Sequence, residues 1–121
     1  MNPGNKLKRG TYFATIKNQD GEHDQASNLN REGIFRLNIG ISKNAYLSLF
    51  HTLPKRPNKG CVIEGNFNFQ QINQILPHPI YAWMGWVCIL NPDEKNFEQC
   101  KLLLEDAYNK ALQTTRKKLQ Q

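Results

Sequence analysis

No run of apolar residues in this 121-residue chain is long enough to cross a bilayer. The longest, Ile80 to Leu90, falls far short of the roughly 20 residues a membrane helix needs. Met1 to Lys8 lacks the apolar stretch of a signal peptide. Cysteine is scarce: Cys61, Cys88 and Cys100 are an odd, widely spaced set with no CxxC among them. A disulfide framework and a zinc site are both disfavoured, and reduced thiols in a cytoplasm are expected. Ser27 and Ser42 have no GxSxG around them, so a nucleophile elbow is missing. The glycines of "GEH", "EGIF" and "IGIS" are not followed by the lysine and hydroxyl of a phosphate-cradling loop. The sequence therefore predicts no membrane association, no metal, no nucleotide and no cofactor.

What is present is ordinary globular material, 39% hydrophobic and 21% charged, enough for one small domain with one core. The net charge of +6 invites a polyanion partner, so its distribution matters. Residues 1–17 and 110–121 each carry +4 and no acid, while the residues between them sum to −2. The charge sits on two ends rather than along one stripe, which suits solvated tails and only weak nucleic-acid binding. A single domain over 1–121 is expected, with a structured core at 10–112 and flexible basic ends at 1–9 and 113–121.

Periodicity gives the elements. "TYFATIK" (11–17) reads as a strand, and the polar, glycine-bounded stretch 18–33 as a long loop. "IFRLNIG" (34–40) alternates, with Phe35, Leu37 and Ile39 on one face and Ile34, Arg36 and Asn38 on the other. Ser42 fits an N-cap ahead of Ala45, Tyr46, Leu49 and Phe50. Residues 51–60 form a connector. "FNFQQINQIL" (67–76) predicts a short helix stopped by Pro77. Residues 80–90 predict a central strand with Ile80, Ala82, Met84, Trp86, Cys88 and Leu90 packed under the helices, and Tyr81 and Trp83 on the reverse face. In "NPDE" (91–94), Asn91 caps a final helix with Pro92 in its first turn. That helix carries an apolar stripe of Phe97, Cys100, Leu104, Ala107, Tyr108 and Ala111. The expected fold is α+β, a small antiparallel sheet of about three strands packed on helices, in the order β-β-α-α-β-α.

The segments "GTYFATIK", "GEHDQASNLNREGIFRLNIGIS" and "LPHPIYAWMGWVCILNP" together resemble a bacterial domain family of unknown function over residues 10–112. More remotely the chain is similar to the MmcQ/YjbR-like proteins. The matching points are Lys6 to Ile16, Phe35 to Ile39, His78 to Leu90 and Leu102 to Ala111. That likeness implies a compact α+β fold and, by analogy of fold, DNA binding. Both groups open with a helix and a strand ahead of the point where this chain begins. Their absence would leave an uncovered sheet edge through which a homodimer could form.

Candidate site residues follow from chemistry. His78, held between Pro77 and Pro79, could bind a ligand or act as acid or base. If Arg36 and Asn38 share a sheet face with Tyr81 and Trp83, a guanidinium and an amide lie beside two aromatic rings, a surface suited to planar ligands. Glu22, His23 and Asp24 cluster in the long loop, but consecutive loop residues rarely converge on one metal ion. The expected function is a non-enzymatic ligand- or macromolecule-binding module using Arg36, Asn38, His78, Tyr81 and Trp83. The alternatives are weak nucleic-acid binding, or a small hydrolase or lyase pairing His78 with an acid from residues 20–24.

Overall fold

The alternation at residues 34–40 organises the sheet. In the computed structural model, which describes residues 12–120, strand β2 (Arg36–Gly40) is central and wholly buried. Strand β1 (Ala14–Lys17) lies antiparallel on one side of it, with Thr15 opposite Asn38 and Lys17 opposite Arg36. After helix α1 (Lys43–Phe50) and a long connection, the short strand β3 (Leu76–Pro77) leads through a turn into β4 (Trp86–Leu90). The resulting open antiparallel sheet has the order β1-β2-β4-β3. Helix α2 (Glu94–Gln120) follows and continues through residues 113–120. Among the described residues the fold is thus α+β, with four strands and two helices. No helix among the described residues is long and apolar enough to cross a membrane.

Residues directly opposite in an antiparallel pair share a face. Val87 lies opposite Ile39 and Ile89 opposite Leu37, and these four join Ile41, Tyr46, Cys100, Leu103 and Ala107 in the core. The sidedness expected for β4 is therefore reversed. Trp86, Cys88 and Leu90 lie opposite Gly40, Asn38 and Arg36, on the face turned away from that core. Hydrophobic residues occur at both parities in β4, so the sequence of this strand alone does not choose; the polar Arg36 and Asn38 of its partner do.

Two further expectations fail for identifiable reasons. Residues 80–90 are not one strand. His78 Nδ1 accepts the backbone N–H groups of Ile80 and Tyr81, both at 3.1 Å, and curls the chain into a 3-10 turn at Ala82–Met84. Gly85 ends that turn at φ +90°, where a Cβ would sit 2.9 Å from the Ile41 carbonyl oxygen. Tyr81 and Met84 are consequently about half exposed, at 49% and 50%. The predicted helix at 67–76 does not form either. Asn68 bonds the Gln70 N–H through its side chain, and Asn73 adopts φ +60° while donating its N–H to the Leu90 carbonyl. Asparagine side chains and a β-bridge from Ile72 to Leu90 displace the helical ladder.

Helix starts are partly as expected. Ser42 caps α1, its hydroxyl accepting from the Ala45 N–H and donating to Asp106. At α2 the capping side chain is Asp93, which accepts from the Asn96 N–H, rather than Asn91. Asn91 instead ties the strand ends, accepting from the Phe35 N–H and donating to the Gly33 carbonyl. The α2 stripe buries Cys100, Leu103, Ala107, Ala111 and Thr115, leaving Phe97 and Tyr108 partly exposed.

Candidate functional site

On the sheet face away from the core, β2 places a guanidinium where a strand ordinarily carries solvent-facing polar groups. Here the 18–33 loop covers it, and Arg36 is only 1% exposed. The loop is braced: Asp20 accepts the Leu29 N–H, and Arg31 donates to the carbonyls of Ser27, Asn28 and Gln70. This brings Asp24 and Ser27 onto Arg36. Nη1 donates to Asp24 Oδ1 and Ser27 Oγ, each at 3.0 Å, and Nη2 makes a close ion pair with Asp24 Oδ2. Nε donates to Asn38 Oδ1 at 2.7 Å, and Asn38 in turn donates to Thr15 Oγ1 at 3.1 Å. Four of the five guanidinium N–H groups are thereby occupied in a fixed fork.

His78 meets the fifth. Its Nε2 lies 3.3 Å from Arg36 Nη2, and the ring is 3% exposed. Because Nδ1 accepts two backbone N–H groups, the proton of the neutral ring belongs on Nε2. Burial and the Arg36 charge push the imidazole down to about 3, with Asp24 opposing them only in part. For Asp24, burial alone would raise the carboxyl, but the hydrogen bonds and charge of Arg36 prevail and hold it below its ordinary value. Burial pushes the Cys88 thiol up to about 12, leaving it un-ionised, and its Sγ lies 3.7 Å from the Pro77 carbonyl.

Above this cluster lies an open groove of about 900 Å³. Arg36, Asp24, Asn38 and His78 contribute to its lining together with Lys17, and Tyr12, Ile16, Tyr81, Met84 and Trp86 supply its apolar surface. Trp86 lies across Gly40: a Cβ on that glycine would fall 2.8 Å from the indole. The missing side chain lets the indole approach the strand backbone closely. Tyr81 stands beside His78, their ring centroids 5.1 Å apart.

Of the five expected site residues, Arg36, Asn38, His78 and Tyr81 border this groove. Trp83 does not. It lines a separate cleft of about 290 Å³ with Arg56, Lys59 and Tyr81, and the Arg56 guanidinium lies 4.9 Å from its ring centroid. Lys17, Ser27 and Trp86 lie outside the expected set, and Asp24 enters it only in the doubtful metal cluster and as one of the acids at 20–24 that could pair with His78. The one available signal was the Gly40–Trp86 pair, which requires a known register. Among the described residues, no three His, Cys, Asp or Glu side chains gather as metal ligands.

A four-stranded open sheet, with two helices on one face and a groove over buried charge on the other, defines a small α+β domain with one candidate ligand site. The chain belongs to a family of unknown function, DUF6194, which matches residues 1–120. No curated protein and no solved structure matches it.

Proposed function

We propose that this protein is a binding domain whose ligand lies in the groove over β2 and β4, between β1 and the turn at 80–84. The observation that carries this reading is the pairing of a partly buried Trp86 ring with a buried, hydrogen-bonded Asp24–Arg36–His78 cluster in one cavity. Its volume lies within the roughly 300–1,000 Å³ typical of small-molecule sites, as does its mixture of apolar walls and few fixed polar groups. A buried ion pair adds little net stability compared with apolar packing, so its position beneath a solvent-open groove fits recognition better than folding.

Acid–base catalysis by His78 fits less well, although Asp24 and His78 do lie on the same side of the sheet. Arg36 touches both, and a ring held at about 3 is far from the value a general base needs near neutrality. Weak nucleic-acid binding rests on Arg56 over Trp83 beside Lys59 in the neighbouring cleft. A 15N NMR titration separates these readings, because each tryptophan reports on its own cavity. Aromatic fragments should shift the Trp86 indole N–H and leave Trp83 in place. Shifts confined to Trp83 on adding a single-stranded oligonucleotide, with Trp86 inert to every fragment, would refute the groove.

A further inference from the structure

Resting on that reading, we infer that the groove selects a small carboxylate with a flat apolar body, the carboxylate bridging His78 Nε2 and Lys17 Nζ and the body lying on Trp86. Two donors meet at the floor of the groove. His78 carries its proton on Nε2, yet the polar neighbour of that atom is Arg36 Nη2, itself a donor. Two N–H groups face each other at 3.3 Å in a buried place, and neither can satisfy the other. An acceptor oxygen arriving from the groove relieves both.

Charge selects the kind of acceptor. Arg36 and Asp24 neutralise one another, whereas Lys17 forms no salt bridge in the described residues. Lys17 sits opposite Arg36 at the end of β1 and lines the same groove, so the balance of these three charges is +1. One anionic oxygen pair matches that balance, while a cation would meet two buried or half-buried donors and gain no acceptor beyond the occupied Asp24. Trp86 supplies a planar surface beside this polar end, and Met84, Tyr81 and Ile16 supply apolar flanks.

Isothermal titration calorimetry with three matched probes tests the assignment: 1-naphthoate, its uncharged amide 1-naphthamide, and 1-naphthylmethylamine. The expected order is naphthoate at least tenfold tighter than the amide, with the amine weakest. Lys17→Met should erase the tenfold preference, and Lys17→Arg should keep it. Equal affinity for all three, or a preference unchanged in Lys17→Met, overturns the carboxylate inference while leaving the groove as a binding site. Absence of binding by any of the three at millimolar concentration removes both.

Discussion

Mild acid should destabilise this domain through His78. In the folded protein the imidazole is pushed down to about 3 by burial and by Arg36. Unfolding returns it to about 6.5. A group depressed in this way binds a proton more readily in the unfolded chain. Stability is therefore complete above pH 6.5 and falls as pH drops from 6.5 toward 3. Each pH unit within that window removes about 1.4 kcal/mol, so pH 5 lies about 2 kcal/mol below pH 8. Asp24 and Asp93 are both held below 3.8. The stability each contributes is lost only as pH falls through those lower folded values, so the range from 4 to 6.5 reports His78. Urea unfolding at half-unit pH steps measures the slope, and 15N NMR of the imidazole nitrogens at pH 5 identifies the state. The ring should appear neutral, protonated on Nε2 and bare on Nδ1. A doubly protonated His78 in the folded protein at pH 5, or stability flat from pH 8 to 5, would refute the reasoning.

Arg36→Met leaves the Asp24 carboxylate half-buried without its partner and should cost about 3–5 kcal/mol in urea unfolding. Adding Asp24→Asn to that variant should restore part of the loss; no recovery in the double variant would show that the ion pair is not what the loop closes upon. Gly40→Ala should cost about 1–3 kcal/mol by driving the Trp86 ring off β2. In a Trp86→Val background the same change should be nearly neutral, and an equal cost in both backgrounds would disprove the contact.

Local sequence determined what local physics controls. The alternation of Phe35 to Ile39 set one strand and its two faces, because Leu37 and Ile39 cannot be exchanged with Arg36 and Asn38 without burying a charge in the core. Ser42 stopped and started the chain as a hydroxyl cap does, and the polar run 18–33 held no periodicity that any element could use. The α+β class followed from these patterns, and of the candidates chosen for their chemistry Arg36, Asn38, His78 and Tyr81 border one groove. Tertiary structure decided the rest where two outcomes were locally equivalent. Strand β4 is apolar at both parities, so only pairing with β2 could put Val87 and Ile89 inward and Trp86 onto Gly40. The stretch "HPIYAWMGW" looked extended because its residues favour strands, but the His78 ring accepted two backbone N–H groups and folded it into a turn, carrying Trp83 away from Arg36. Asp24 met Arg36 twelve positions further along the chain, a closure that no spacing rule encodes. The groove lies over that closure, which buries the charge pair and sets the His78 Nε2–H against the Arg36 guanidinium at its floor.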